Sequence, residues 1–484
     1  MIIKSFLKLQ PTDQVQAKNE SVRTMASSSN YGKLSKKAKQ HRARADRITT
    51  LPDSILIHIL SFVPTEDAVR TCVLSTRWKQ IWASVPNLQF FFNSWQYFKF
   101  PHFIDRVLFF HELPRIQTFY LKCDEVDPDR LNTWVSVAIK RGVQELHIDV
   151  QNTEDFTLPP NLFTSNTLVR FKLRSCLQMD IPRLVRFPNL RVLHLSLHYP
   201  EEDVVQKLFC SCPVLEDFSL GGNIGNNQSM AFDISTLALK KLEIDFDGGE
   251  GFEYSENEFI INAPILEHLT LRDDYFAQYW LKNLSSLVRA DINVGLSCIE
   301  AHGFKERANE VYVLLKGISN VKYLTLGAST MGALDYADDN NLPLLFPNIT
   351  HLELHVSDSY CWKRLPYLLS CTPNLENLAL EVSTKKDVEH GNHGPTAEPN
   401  WIEPVPEWTP TCLLLHLKDI GLTGFTSKIY HLKLIEYLLE NAEVLIKMTI
   451  STSNLAVEEE VAFLRHLVIC RRAAKACTIE LSGK

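Results

Sequence analysis

The sequence predicts an α/β protein with three short helices near its N-terminus, an irregular solenoid of parallel strands in the middle and an α+β cap at the C-terminus. Two observations carry this prediction. The stretch from Leu51 to Trp82 has the apolar spacing of short helices. From Ile116 onward an L-x-x-L-x-L pattern recurs at intervals of roughly 21 to 34 residues, which is the period of a stacked repeat. Stacked repeats place parallel strands on a concave face and helices or irregular segments on the convex face.

The composition is that of a large globular chain with two or three structural units. Of its 484 residues 45% are hydrophobic, and a net charge of −7 argues against general affinity for nucleic acid or anionic membranes. The eleven cysteines include no CxxC pair, which argues against a disulfide framework and suits a reducing compartment. Cys210 and Cys212 have a spacing compatible with metal ligands, but without a second pair buried thiols are favoured. No apolar run is long enough to span a bilayer.

The N-terminal residues 1–45 are polar, so we expect a disordered tail. A basic cluster lies in and just after this tail, with Asp46 as its only acid: Lys33, Lys36, Lys37, Lys39, Arg42, Arg44 and Arg47. A nuclear-import signal and a solvated tail are both compatible with this cluster. We predict localisation to the nucleus, the cytoplasm or both.

The stretch from Leu51 to Trp82 is the best-defined local element. Its first helix is expected to begin at Pro52 and to end near Phe62, because proline suits the first helical position. A second helix is expected to use Thr65 as its N-cap, and a third to begin at Ser75. The first helix has too many apolar residues for one core-facing stripe. Three such helices also bury too little surface to be stable alone, so another surface must cover them.

This stretch resembles the F-box of plant F-box proteins. The matching residues include loop positions as well as apolar ones: Leu51, Pro52, Asp53, Ile55, Leu56, Ile59, Leu60, Phe62, Pro64, Thr65, Ala68, Val69, Cys72, Val73, Leu74, Ser75, Arg77, Trp78 and Trp82. The resemblance implies docking on the Skp-type adaptor and, through it, on the cullin of a ubiquitin ligase. The implied adaptor-binding residues are Leu51, Pro52, Ile55, Leu56, Ile59, Leu60, Pro64, Val69, Val73, Leu74, Trp78 and Trp82. A helical cap that closes a larger domain is the alternative.

An aromatic-rich stretch, Asn87 to Phe110, follows the helices. It is compatible with a ligand platform, but a core that joins the helices rigidly to the next domain is favoured, since aromatic side chains dominate packing energetics.

The repeat region matches a leucine-rich repeat in period. Its apolar triplets are Ile116-Phe119-Leu121, Val143-Leu146-Ile148, Leu168-Phe171-Leu173, Leu190-Leu193-Leu195, Leu215-Phe218-Leu220, Leu239-Leu242-Ile244, Leu266-Leu269-Leu271, Leu287-Ala290-Ile292, Val321-Leu324-Leu326, Ile349-Leu352-Leu354 and Leu375-Leu378-Leu380. Alternation puts the last two residues of a triplet on one face of a short strand and the residue between them on the other. Those intervening residues are our candidates for target binding: His147, Lys172, His194, Ser219, Glu243, Thr270, Thr325 and Glu353. The long interval between Leu287 and Val321 fits either a helix or an inserted loop.

The repeat pattern stops near residue 384, and residues 384–400 are interpreted as a linker or loop. Glu389, His390 and His393 lie in it, where solvated side chains are favoured over metal ligands. The chain from Trp401 onward resembles the FBD domain of plant F-box proteins. The matching residues are Trp401, Pro404, Pro410, Cys412, Leu413, His416, Leu417, Lys418, Ile420, Gly424, Phe425, Tyr437, Leu438, Leu439, Asn441, Ala442, Leu445, Lys447, Met448, Thr449 and Ile450.

The sequence lacks three signatures of catalysis: a GxxxxGK[ST] loop, a GxSxG elbow and an HExxH helix. We therefore predict a non-catalytic substrate receptor of an SCF-type ubiquitin ligase, with no catalytic residue, metal or cofactor and an unknown protein target. Its predicted segments are a tail (1–45), the F-box (46–90), the repeats (91–383), a linker (384–400) and the FBD (401–484). A nuclear scaffold or nucleic-acid-associated protein that binds through the basic cluster is the alternative.

Overall fold

A computed structural model describes residues 48, 50–92, 99–151, 158–175, 181–224, 230–246, 257–274, 277–295, 304–335, 344–357, 364–383, 409–451 and 457–482. The predicted tail with its basic cluster, the predicted linker, and Trp401 and Pro404 of the FBD match lie outside these ranges. The chain forms two compact units, Met1–Gln151 and Asn152–Lys484. The first unit thus joins the F-box segment to the first repeats.

The first unit contains five helices and three strands in its described ranges. They are α1 (Asp53–Leu60), α2 (Thr65–Arg70), α3 (Trp78–Ile81), β1 (Asn87–Phe91), α4 (Phe100–Phe110), β2 (Thr118–Cys123), α5 (Pro128–Lys140) and β3 (Glu145–Val150). Short 3-10 turns follow α2 (Thr71–Val73) and α3 (Trp82–Ser84). The strands pair in parallel in the order β1-β2-β3.

The second unit consists mostly of strands with helices between them. Its described elements are β4 (Arg170–Ser175), β5 (Val192–His198), α6 (Glu202–Cys210), β6 (Asp217–Asn223), β7 (Ala231–Ser235), β8 (Lys241–Phe246), β9 (Glu258–Asn262), β10 (His268–Asp273), β11 (Gln278–Lys282), β12 (Arg289–Val294), α7 (Phe304–Gly317), β13 (Tyr323–Leu326), α8 (Ala328–Asp335), β14 (His351–Ser357), α9 (Leu365–Cys371), β15 (Asn377–Ser383), α10 (Thr411–Leu415), β16 (Asp419–Thr423), α11 (Ile429–Asn441), β17 (Lys447–Ser451), α12 (Val457–Ile469) and β18 (Thr478–Ser482).

The helices of the F-box segment differ from the prediction in their start points. Helix α1 begins at Asp53, with Pro52 as its N-cap. Thr65 was predicted to cap α2, and that prediction is wrong: Pro64 is the N-cap and Thr65 is the first helical residue. A tertiary contact explains the difference: the buried Thr65 hydroxyl accepts a hydrogen bond from the backbone N–H of Gln89 on β1 at 2.7 Å. The third helix also starts later than Ser75, at Trp78.

The aromatic stretch after the F-box segment packs as a core. Phe90 on β1 is 1% exposed, and its ring lies 6.1 Å from the ring of Phe103 and 5.6 Å from that of Phe119. The rings thus join β1 to α4 and β2, which confirms the core interpretation for these residues. Phe109 is 80% exposed and does not belong to this core.

The repeat prediction is confirmed in the register of the second unit's main sheet. Its strand order is β4-β5-β6-β8-β10-β12-β13-β14-β15-β16-β17-β18, and neighbouring strands of this order pair in parallel. Equivalent motif positions lie side by side, as Leu173, Leu195 and Leu220 do on the first three strands. Every apolar residue of the predicted triplets is buried. The interval from Leu287 to Val321 contains a helix, α7, which decides the question that the sequence left open.

Two features of the second unit were not predicted. The first is a small parallel sheet with the strand order β11-β9-β7. Its strands β7, β9 and β11 come directly after the main-sheet strands β6, β8 and β10 in the chain, at the place where other repeats have a helix. The FBD segment is α+β as expected, but β16, β17 and β18 extend the main sheet in parallel. The motif was present there too, as Leu417-Ile420-Leu422 and Leu445-Met448-Ile450, all buried.

None of the helices in the described ranges has both the length and the apolar character needed to cross a bilayer.

Candidate functional site

Helix α1 carries an apolar stripe that faces solvent. We define this F-box stripe as Ile55, Ile59 and Phe62, which are 44%, 46% and 73% exposed. Their spacing of four and three residues puts them on one side of the helix and its C-terminal turn. The opposite side is buried through Leu56 and Leu60. The helix is therefore apolar on two sides, as the sequence predicted, and only one of them is covered within this unit.

The structure divides the twelve implied adaptor-binding residues into three groups. The exposed ones are Pro52, Ile55, Ile59, Val73 and Leu74. Leu51 and Pro64 are partly exposed. The buried ones are Leu56, Leu60, Val69, Trp78 and Trp82. Side chains in the buried group pack inside the first unit, so they shape the exposed surface without contributing to it.

Arg77 fixes the corner that precedes α1, a role that the sequence did not reveal. Its Nε donates to Asp53 Oδ1 at 2.7 Å, and its Nη2 donates to the backbone carbonyl of Leu51. One guanidinium thus binds both the first residue of α1 and the residue before Pro52. This planar group can serve two acceptors at once because it carries several donors in a fixed geometry.

His111 connects the end of the F-box segment to α4 and α5. Its Nε2 lies 2.8 Å from the carbonyl oxygen of Val85, and Arg141 Nη1 lies 3.2 Å from its Nδ1. Because Arg141 can only donate, Nδ1 accepts and Nε2–H donates to Val85. Burial lowers the pKa of His111, and the charge of Arg141 lowers it further. Together with the bond from Glu112 N–H to the carbonyl of Ala83, this contact holds the F-box helices against the first repeats.

The second candidate surface is a row of side chains across the main sheet of the second unit. Each strand buries alternate residues and turns those between them outward, where they are half-buried or exposed. The register aligns the middle outward-facing residue of successive strands into what we call the central row. Its members from β4 to β14 are Lys172, His194, Ser219, Glu243, Thr270, Asp291, Thr325 and Glu353.

Seven of the eight candidate target-binding residues lie in this central row. The eighth, His147, belongs to the first unit, where its ring lies 4.2 Å from that of Tyr120 on the adjacent strand. The prediction omitted Asp291, although the same motif position identifies it. Ala379 on β15 has the same motif position but is not polar, and the residues of the FBD strands were omitted because the motif was not followed into β16. After Glu353 the row continues with Ala379, Gly421, Thr449 and Glu480.

The charges on this face are arranged in groups. At β4 the exposed positions are all basic: Arg170, Lys172 and Arg174. On the next strands His194 Nε2 lies 3.2 Å from Asp217 Oδ1. Burial alone would raise the pKa of Asp217, but the hydrogen bond and charge of His194, with nearby lysines, bring it below its ordinary value. The charge of Asp217 is therefore compensated by side chains of neighbouring strands.

A second group surrounds Arg272 on β10. Its guanidinium lies 2.8 Å from Asp291, 3.8 Å from Glu243 and 3.9 Å from Asp245. Lys241 Nζ also lies 3.6 Å from Glu243. Three carboxylates thus lie near the Arg272 guanidinium and the Lys241 ammonium, on partly exposed side chains that can accept hydrogen bonds.

A third group combines aromatic and ionisable side chains on β12 to β15. The Arg289 guanidinium lies 4.8 Å from the Tyr323 ring, which lies 4.6 Å from the ring of His351. On the other side of the row, His355 lies 3.3 Å from Glu353 and 3.7 Å from Glu381. This group presents hydrogen-bonding groups, aromatic rings and charges of both signs on one face.

Cys210 and Cys212 do not form a joint site. Cys212 is 5% exposed, and burial raises the pKa of its thiol to about 12, whereas Cys210 is exposed. Within the described ranges, neither belongs to a group of His, Cys, Asp and Glu side chains close enough to hold a metal ion.

Comparison with known families matches three segments of the chain. An F-box domain model matches residues 48–90, a model described as "FBD-associated F-box protein At5g56370, LRR repeats" matches residues 131–290, and an FBD model matches residues 406–450.

Curated relatives from Arabidopsis thaliana align over most of the chain. FBD-associated F-box protein At5g27750 is 33% identical over 84% of this chain and 92% of its own length. F-box/FBD/LRR-repeat protein At2g26030 is 31% identical over 90% of this chain and 98% of its own length. A second FBD-associated F-box protein, At4g13985, is 30% identical over 91% of this chain and 97% of its own length.

Proposed function

Because the chain belongs to the F-box/FBD/LRR-repeat family, we propose that it is the substrate-recognition subunit of an SCF-type ubiquitin ligase. An F-box domain generally binds Skp1-type adaptors, and this domain architecture is typical of non-catalytic adaptor proteins. In this proposal the F-box docks the adaptor, the adaptor brings the cullin, and the repeats hold a protein target. Other subunits carry out the transfer of ubiquitin.

The observation that carries the adaptor part of the proposal is the F-box stripe. Ile55, Ile59 and Phe62 are large apolar residues exposed side by side on a helix whose other side is already packed. Removing apolar surface from water is favourable by about 25 cal/mol per Å², and this gain opposes the entropic cost of association. We assign adaptor contact to this stripe together with Pro52, Val73 and Leu74. The buried residues of the implied set then keep the stripe in place.

The central row and its flanking side chains are our proposed target surface. Its charges alternate in groups along the strands, which favours a partner of complementary charge pattern and disfavours others. The receptor would act by position alone, since holding a lysine near a charged carrier raises the effective concentration of the reacting groups.

One co-purification experiment with paired variants tests both surfaces. We expect Ile59→Asp to abolish adaptor binding and to leave target binding intact, because a carboxylate in an apolar interface is costly. Phe109→Asp is the matched control: this residue is 80% exposed in the same unit but lies outside the F-box, so the variant should keep the adaptor. Glu353→Lys should keep the adaptor and lose a target identified by proximity labelling under proteasome inhibition.

Adaptor binding that survives Ile59→Asp in a correctly folded chain would contradict the assignment of the stripe. Loss of the adaptor in both Ile59→Asp and Phe109→Asp would point to a general effect of surface charge. Retention of the target by Glu353→Lys and by a second row variant, Lys172→Glu, would contradict the assignment of the target surface.

Localisation to the nucleus, the cytoplasm or both is also our proposal, and it rests on the basic cluster from Lys33 to Arg47. A reporter fused to residues 1–50 that stays wholly cytoplasmic would exclude the nuclear part. The domain boundaries of the sequence prediction are likewise proposed, including the linker at residues 384–400.

A further inference from the structure

Helices α11 and α12 bring three potential metal ligands together near the C-terminal end of the second unit. Glu436 lies on α11, His466 lies on α12, and Cys470 follows α12 by one residue. A carboxylate oxygen of Glu436, an imidazole nitrogen of His466 and Sγ of Cys470 all lie within 4.8 Å of one another. Residues four apart on a helix share one side, which explains why the ring and the thiol both face α11.

We propose that Glu436, His466 and Cys470 bind a zinc-class transition metal ion. Imidazole, thiolate and carboxylate are the three protein ligand types of zinc, and a tetrahedral ion held by three of them keeps a fourth position for water. Hard cations such as Mg²⁺ and Ca²⁺ prefer oxygen ligands, so the ring and the thiol select against them. When the ion binds, the Cys470 thiol loses its proton to solvent.

The contacts at the ring provide a second observation in favour of this site. His466 Nε2 lies 2.9 Å from Glu436 Oε1. Nevertheless, the nitrogen is buried and has no aligned hydrogen bond among the described residues. His466 Nε2 and Glu436 Oε1 thus lie 2.9 Å apart, although no well-aligned hydrogen bond joins them. The thiol is held beside them, because Cys470 Sγ donates to the backbone carbonyl of His466 at 3.2 Å.

The surrounding charges favour a dication. Burial raises the pKa of Cys470, and the carboxylates of Glu436 and Glu440 raise it further, while Arg472 opposes them. Glu440 lies one turn after Glu436 on α11, so two negative charges face the thiol from that helix. A bound dication compensates these charges and stabilises the thiolate.

A metal here would fasten a helix end that has little apolar packing. Val468 and Ile469, at the end of α12, are both 78% exposed. The ion would bind the residue after this helix to the middle of α11 and so stabilise the segment that leads to the last strand, β18. The site is independent of the adaptor and target surfaces, so it does not depend on the proposed function.

Cobalt substitution in the purified full-length chain tests the proposal. Co²⁺ bound by a thiolate gives a charge-transfer absorption that carboxylate and imidazole ligands do not give. We expect this band on adding Co²⁺, its bleaching by stoichiometric Zn²⁺, and its loss in Cys470→Ser. Glu436→Gln keeps the shape of the side chain and removes its charge, and we expect it to weaken Zn²⁺ binding at least tenfold.

Two matched controls separate this site from other ligands on the chain. Cys210→Ser removes an exposed thiol elsewhere, and His355→Ala removes the ring from the exposed group Glu353, His355 and Glu381. Both variants should keep the cobalt band and the affinity for Zn²⁺. Absence of the band in the unmodified chain, its survival in Cys470→Ser, or its loss in Cys210→Ser would overturn the proposal. Far-ultraviolet circular dichroism of each metal-free variant shows that the comparison is made on folded protein.

Discussion

His111 makes the stability of the first unit depend on pH. Burial and the charge of Arg141 hold its pKa below the ordinary value of 6.5, so the folded unit favours the neutral ring that donates to Val85. For a group whose pKa is lowered by folding, protonation of the unfolded chain comes first as the pH falls. Its contribution to stability is therefore complete above pH 6.5 and declines below it, until the folded pKa is reached.

We expect His111→Gln to flatten this pH dependence. The amide can still donate to the carbonyl of Val85, but it does not titrate in this range. Urea midpoints compared at roughly pH 5.5 and pH 7.5 should fall less on acidification in the variant than in the unmodified chain. An equal fall in both proteins would mean that other groups control the acid response.

Single residues also show where sequence reasoning was sufficient and where it was not. The alternation of the repeats identified Lys172, Glu243 and Glu353 as outward-facing strand positions, because a period of two follows from strand geometry alone. It could not identify Arg272 as the cation shared by three carboxylates, since those partners come from the two strands on either side of β10: Glu243 and Asp245 from β8, and Asp291 from β12. Likewise, the hydroxyl of Thr65 accepts a hydrogen bond from Gln89 on β1 and does not cap its own helix.

At the scale of elements, the turn after β16 depends on a glycine. Gly424 has a φ of 77°, and a Cβ added there would lie 2.2 Å from the carbonyl oxygen of Val382 on the neighbouring β15. Both the left-handed backbone and the close approach exclude a side chain. Gly421, three residues earlier on β16, has no atom within 4 Å of the equivalent position.

We predict that Gly424→Ala destabilises the second unit by more than about 1 kcal/mol, since strain at a left-handed position adds to the clash. Gly421→Ala should change stability by less than about 0.5 kcal/mol, as expected for an unobstructed surface position. Denaturant unfolding of the two variants measures this difference. Equal losses of stability would mean that the contact with Val382 does not limit this turn.

At the scale of the whole molecule, the FBD segment is part of the repeat architecture. Its strands β16, β17 and β18 continue the main sheet, and the thiol of Cys412 donates to the carbonyl of Leu369 on α9 at 3.2 Å. Stacked repeats derive much of their stability from contacts with their neighbours. The FBD segment therefore covers apolar residues of the last repeat before it, such as Leu378 and Leu380.

We expect a chain truncated after residue 408 to unfold at lower urea concentration than the full chain and to aggregate, because β15 becomes an open edge over an uncovered core. Truncation after residue 451 retains β16 and β17 and should be milder. Size-exclusion chromatography and urea titration check both. If the shorter chain kept the full stability, the FBD would not be needed to cover the last repeat, which would contradict this prediction.

The order of the segments, the family and the buried face of each repeat strand could be predicted from the sequence alone. These features follow from local spacing: a period of two along a strand, a repeat interval, and a contiguous helical motif. The folded structure was needed to show which F-box residues are exposed, that the F-box packs with the first repeats, and that the FBD continues the sheet. It also brought Glu436 to His466 and Cys470. These outcomes depend on contacts between residues distant in the chain, which local spacing does not encode.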